Sequence, residues 1–129
     1  MSKKILIFGG TGAIGFSIAK RISQENYTPV IISRNKEELI IKSKEINCEY
    51  EICDVLDKDQ IDQVSKKHGD SVFGLAYCIG SINLKPLKIT KDEDFIESYK
   101  INTLGAINSI KSNIESLANN NGSILLFST

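Results

Sequence analysis

Tryptophan is absent from this 129-residue chain, histidine and methionine occur once each, and proline occurs twice. A surplus of charge is missing as well, since 16 Lys and Arg balance 16 Asp and Glu. Without a net positive field or a one-sided Lys/Arg cluster, the electrostatic footprint that draws a nucleic-acid backbone is lacking, and no nucleic acid is expected as a partner. His68 is the sole imidazole, and Cys48, Cys53 and Cys78 contain no Cys-x-x-Cys pair, so no metal site is expected. An odd number of cysteines without a secretory signal points to buried free thiols. No apolar run approaches the ~20 residues of a membrane-spanning helix. Ile5 to Phe8, behind Lys3 and Lys4, is broken by Gly9-Gly10 and is too short for a secretory h-region. A cytoplasmic protein with no membrane partner is the expectation.

What is present is an ordinary globular composition, 41% apolar and 25% charged, enough for a single domain over residues 1–129. Strand-like and helix-like segments alternate from end to end, which argues a parallel sheet with helices on its faces. Ile5-Leu6-Ile7-Phe8 reads as a central strand. The helix after it sets Ile14, Ile18 and Ile22 on one stripe, with Gly15 and Ala19 beside them for close packing on the sheet. Val30 to Ile32 is a second strand, and Asn35 caps the next helix with Glu38 in the reciprocal position. Tyr50 to Val55 reads as a third strand, and Asp57 as the cap of a helix carrying Ile61 and Val64. Val72 to Ile79 is a fourth strand. Thr90-Lys91-Asp92-Glu93 forms a capping box for one long helix reaching Ala118. Phe95, Tyr99, Asn102, Ala106 and Ile110 share a stripe of it, which turns Asn102 toward the sheet. Asn119 to Gly122 stops that helix, and Ser123 to Phe127 is a fifth strand. The expected architecture is α/β: an open five-stranded parallel sheet in the order 3-2-1-4-5 with flanking helices.

The chemistry is concentrated in the first strand–helix junction. Gly9-Gly10-Thr11-Gly12-Ala13-Ile14-Gly15 places glycines three apart, and each has a physical task. Gly9 permits the turn off the strand, Gly12 lets a pyrophosphate approach the backbone, and Gly15 lets the helix lie close to the sheet. The helix start offers unpaired N–H donors and a partial positive charge. Gly9, Thr11, Gly12, Ile14 and Gly15 are therefore the candidate phosphate-side contacts. A Gly-Lys-Ser/Thr ending is lacking, which excludes a mononucleotide P-loop. Where an acidic residue would bond a ribose 2′-hydroxyl, the chain has Ser33 and Arg34. An arginine–phosphate contact adds about 1.5–3 kcal/mol, roughly ten- to hundredfold in affinity, so NADP(H) is favoured and NAD(H) is the alternative.

On these residues the chain resembles the amino-terminal half of the short-chain dehydrogenase/reductase family, whose fold is Rossmann-like. Phe8 to Gly15 is similar to the family's Thr-Gly-x-x-Gly-x-x-Gly turn, with Phe8 in place of threonine. Asp54-Val55 resembles the Asp-Val after the third strand, which implies a contact from Asp54 to the adenine amino group. Tyr77-Cys78-Ile79-Gly80 stands where the family has Asn-Asn-Ala-Gly, and only Gly80 is kept. Asn102 to Gly105 is similar to Asn-x-x-Gly, which implies that Asn102 organises a water-linked proton path. Gly122 to Thr129 resembles Gly-x-Ile-x-x-x-Ser-Ser, which puts the catalytic hydroxyl on Thr129, with Ser128 as the alternative. The family's Tyr-x-x-x-Lys and the last two of its seven strands have no counterpart in these residues.

The resemblance implies an NADP(H)-dependent oxidoreductase that moves a hydride between cofactor and a small carbonyl or alcohol. The chain is expected to be a truncated form of it, binding dinucleotide but inactive alone. The competing expectation is a non-catalytic nucleotide-binding or regulatory module, naturally five-stranded. A receiver domain is disfavoured, because Phe8-Gly9-Gly10 supplies no acidic cluster. The apolar Ile124 to Phe127 edge, the long helix, or both would support a homo-oligomer.

Overall fold

The computed structural model describes residues 2–128. Five parallel strands form one sheet: β1 (Lys4–Phe8), β2 (Thr28–Ser33), β3 (Glu49–Ile52), β4 (Val72–Tyr77) and β5 (Ser123–Leu125). Their order is β3-β2-β1-β4-β5, as expected for a Rossmann-like sheet. Ile7 of β1 stands beside Ile31 of β2 on one side and Ala76 of β4 on the other. The alternation of side chains divides the interior in two. Leu6, Phe8, Val30, Ile32, Leu75 and Tyr77 face one way and meet Ile61, Val64 and Leu117. Ile7, Ile31 and Ala76 face the other way and meet Ala19 and Leu39. Because both faces are covered, β1 and β2 are apolar on consecutive residues. Each such Leu, Ile or Phe contributes about 1.5–3 kcal/mol on burial.

The flanking helices are α1 (Ala13–Ser23), α2 (Lys36–Ile46), α3 (Lys58–His68), α4 (Asp92–Tyr99) and α5 (Gly105–Asn119). Two caps form as expected. Asn35 Oδ1 accepts from Glu38 N at 3.2 Å, and Asp57 Oδ1 accepts from Asp59 N at 3.0 Å. The reciprocal half of the first cap differs: Asn35 N donates to Ser33 Oγ at 3.1 Å, not to Glu38.

The face that α1 turns inward also differs. Gly15, Phe16 and Ala19 are buried, whereas Ile14 is 57% exposed and Ile18 and Ile22 are half-buried. The Gly15 contact with the turn sets the roll of the helix and carries the isoleucine stripe to its flank.

The expected single long helix is interrupted. Lys100–Leu104 forms a π turn between α4 and α5, and its wider coil breaks the helical phase. Ala106 is buried and Ile110 packs against the core, while Phe95 and Tyr99 are 56% and 53% exposed. Asn102 is on the exposed side rather than against the sheet. The capping box is shifted too. Thr90 spends its hydroxyl on the Pro86 carbonyl at 2.9 Å, so Asp94 receives the Lys91 N–H at 3.0 Å and α4 starts at Asp92.

Strands β3, β4 and β5 are shorter than expected at their carboxyl ends. Cys53 N still reaches Ser33 O at 2.9 Å and Cys78 N reaches Phe8 O at 2.7 Å. Beyond these bonds the chain peels away. Asp54 N donates to the side chain of Gln60 instead, at 2.8 Å. That divergence opens a crevice over the carboxyl ends of the strands.

Candidate dinucleotide site

The glycine turn is built by backbone contacts. Gly9 has φ +82°, a region that favours glycine, and its N–H and that of Gly10 both donate to Ile32 O, at 2.8 and 3.3 Å. A Cβ on Gly9 would come 2.7 Å from the Cys78 carbonyl oxygen, one on Gly10 2.7 Å from Ile31, and one on Gly15 2.2 Å from Gly9 O. Internal packing therefore demands glycine at 9, 10 and 15. Gly12 is different. Its φ is −76°, and the nearest atom to a Cβ there is Gly9 O at an ordinary 3.5 Å. The fold itself would accept a side chain at 12, so glycine there keeps room on the outer side of the turn.

That room lies at the amino end of α1. No side chain caps this end, and its first turn carries no acidic residue. The N–H groups of the first turn have no carbonyl one turn back to bond, and with the helix dipole they offer an anion a ready site. Thr11 is half-buried beside Gly12, and Ile14 is exposed on its other side.

Next to the turn is a cavity of about 220 Å³ over the ends of β1 to β4. Of the expected contacts, Gly9, Ser33, Arg34, Asp54, Val55 and Gly80 line it. Thr11, Gly12, Ile14 and Gly15 lie outside its lining, along the adjoining turn. Cys53, Leu56, Ile79, Ser81 and Ile101 complete the wall. Adjacency is the signal that finds them: they flank Asp54-Val55, Gly80 and Asn102 in the chain.

The polar groups at the cavity are only partly engaged. Arg34 is exposed, and among the described residues it joins no ion pair. Ser33 Oγ accepts from Asn35 N, which leaves its proton to donate. Asp54 Oδ1 accepts from Leu56 N at 3.0 Å, with further acceptor capacity on the carboxylate. Burial pushes the Cys53 thiol up to about 12 and the Cys78 thiol up to about 11, so neither is a ready nucleophile. All three cysteines are free, with Cys53 buried and Cys48 and Cys78 half-buried.

Asn102 is held by both ends of its amide. Oδ1 accepts from Ser81 N at 2.8 Å, while Nδ2 donates to Ser81 O at 2.9 Å and to Ser98 Oγ at 3.1 Å. The π turn thus clasps the loop after β4. Ser128 is exposed beyond β5, and Thr129 lies outside the described residues. Among the described residues no group of three or more His, Cys, Asp or Glu is arranged to hold a metal, and no helix is long and apolar enough to cross a membrane.

Known proteins resemble this chain in sequence and fold. Residues 3–129 match the sequence profile of the short chain dehydrogenase family. Carbonyl reductase family member 4 of Xenopus laevis is 30% identical over 115 residues, covering 86% of this chain and 49% of the relative. A 3-oxoacyl-[acyl-carrier-protein] reductase of Mus musculus is 30% identical over 131 residues, covering 97% of this chain and 55% of the relative. The solved structure of actinorhodin polyketide ketoreductase with NADPH superposes with a TM-score of 0.87 at 22% identity, over 95% of this chain and 51% of that one. The chain thus spans about half the length of the curated relatives it matches. Profile, strand order and glycine turn agree: the chain belongs to the short chain dehydrogenase family of oxidoreductases.

Proposed function

We propose that this chain binds NADP(H), with NAD(H) as the weaker ligand, and forms the dinucleotide-binding half of a carbonyl/alcohol oxidoreductase. The observation that carries the reading is Gly12, the one glycine of the turn that no internal contact requires. Its open side, next to the uncapped start of α1, suits an anion that must touch the main chain. Arg34, without an ionic partner among the described residues, suits a 2′-phosphate, with Ser33 as a second donor. Asp54 has acceptor capacity for an adenine amino group, and Val55 and Ile79 give that ring apolar walls.

When bound, the nicotinamide group supplies or takes up the hydride. Asn102 stands beside the cavity wall as the candidate organiser of a proton path. Ser128 and Thr129 remain the candidate hydroxyls. In the family a Tyr-x-x-x-Lys pair donates the proton and holds the nicotinamide ribose. These 129 residues contain no such pair, so the chain made alone binds without turning over. The relatives' names, carbonyl reductase and 3-oxoacyl-[acyl-carrier-protein] reductase, support a carbonyl compound as substrate. A small carbonyl or its alcohol is the proposed class. A cytoplasmic setting suits three free thiols. Exposed Phe95, Tyr99, Ile107 and Ile114 on α4 and α5, and the exposed β5 edge, suit a homo-oligomer.

Thermal unfolding with NADPH or NADH at equal concentration tests the reading. Saturation at about a hundredfold over the dissociation constant stabilises by ~2.7 kcal/mol, and NADPH is expected to exceed NADH. Identical unfolding with and without either dinucleotide would refute it.

A further inference from the structure

Tyr77 closes β4 with its ring buried against Phe8, the two centroids 6.2 Å apart. Its hydroxyl donates to the carbonyl oxygen of Ile101, in the π turn, at 2.5 Å. Gly105 makes room for this bond, since a Cβ there would fall 2.3 Å from the Tyr77 hydroxyl. A buried phenol must find a partner, and the Ile101 carbonyl supplies it.

The bond sits one residue before the Asn102 clasp. Asn102 is exposed, and its bonds to Ser81 compete with water, so they gain from a backbone already held in place. Ile79, Gly80, Ser81 and Ile101 form one continuous wall of the cavity. A Cβ on Gly80 would lie 3.2 Å from Asn102 Oδ1, so the wall and the clasp are in close contact.

We infer that Tyr77 is a positioning residue of the dinucleotide site: by holding the Ile101 carbonyl it sets the π turn, and through Asn102 it shapes the Ile79–Ser81 wall. Ring packing alone does not account for the hydroxyl, because phenylalanine would fill the same space. The assignment rests on the cavity being the dinucleotide site.

Tyr77→Phe keeps the ring and removes the bond. Two measurements test it in the full chain: NADPH affinity by calorimetry and hydrogen exchange at the Ser81 amide by NMR. Ser116→Ala is the control, because Ser116 Oγ donates to Val72 O at 3.0 Å at the opposite end of the same strand. Tyr77→Phe is expected to weaken NADPH about five- to tenfold and to speed Ser81 exchange by a similar factor. Ser116→Ala is expected to lower the melting temperature and change neither. With Asn102→Ala already present, adding Tyr77→Phe is expected to cost no further affinity, as for two residues of one unit. Unchanged Ser81 exchange in Tyr77→Phe would overturn the inference, as would an equal affinity loss in Ser116→Ala. A wild-type chain that ignores NADPH would sink the dinucleotide reading, and Ser81 exchange would still decide whether Tyr77 holds the clasp.

Discussion

The carbonyl oxygen of Gly9 lies 2.2 Å from the point that a Cβ on Gly15 would occupy, so the turn off β1 and the first turn of α1 are in backbone contact. No side-chain rearrangement relieves a clash between Cβ and carbonyl. Gly15→Ala must therefore lift α1 from the sheet, at a cost of about 1–3 kcal/mol or more. Urea unfolding of the variant is expected to show the loss, together with weaker NADPH binding. An unchanged midpoint would contradict the contact.

In the proposed function Arg34 decides the choice between dinucleotides. Removing the guanidinium in Arg34→Ala should weaken NADPH roughly ten- to hundredfold and leave NADH nearly unaffected. Calorimetry with both ligands checks it. Equal losses for the two would place Arg34 away from the 2′-phosphate.

Alkaline pH should destabilise the chain through the buried Cys53 and Tyr77 and the half-buried Cys78. Burial raises the Cys53 thiol and the Tyr77 phenol to about 12, and the Cys78 thiol to about 11, against ordinary values of 9.0 for a thiol and 10.0 for a phenol. The folded chain then holds these protons more tightly than the unfolded chain. Stability is complete below pH 9, falls as pH rises above the unfolded-state values, and is lost through the folded-state values near 11 and 12. The urea midpoint is expected to drop between about pH 8.5 and about pH 10.5, to a smaller extent in Cys53→Ala than in the native chain. A flat profile would contradict this.

Strand order and the glycine turn after β1 were legible because they rest on local signals. Apolar runs separated by helical spacing give a parallel sheet, glycines three apart mark the turn between β1 and α1, and Asn35 and Asp57 announce their helices. The remainder depended on distant partners. Nothing local in Lys100 to Leu104 marks a π turn, and the Tyr77 hydroxyl that bonds the Ile101 carbonyl within it comes from 24 residues away. The roll of α1 follows from Gly15 meeting Gly9, which outweighs the isoleucine stripe. Thr90 looked like a cap until Pro86 took its hydroxyl. His68, buried at the other end of the sheet, bonds Glu51 at 2.9 Å and Lys4 at 3.1 Å, a link between α3, β3 and β1 that no spacing in the chain announces.

Gly12→Ala separates fold from function more sharply than any other substitution. A Cβ there meets only ordinary contact, so the melting temperature should stay within a degree or two of the native chain, the effect of a ~0.5 kcal/mol change. In the proposed binding mode its methyl group would stand where the anionic bridge approaches. Titration of NADPH into both chains is the direct test: binding by the native chain and at least tenfold weaker binding by a folded Gly12→Ala supports the account (~1.4 kcal/mol or more). Equal affinity in the two, with both fully folded, would contradict it.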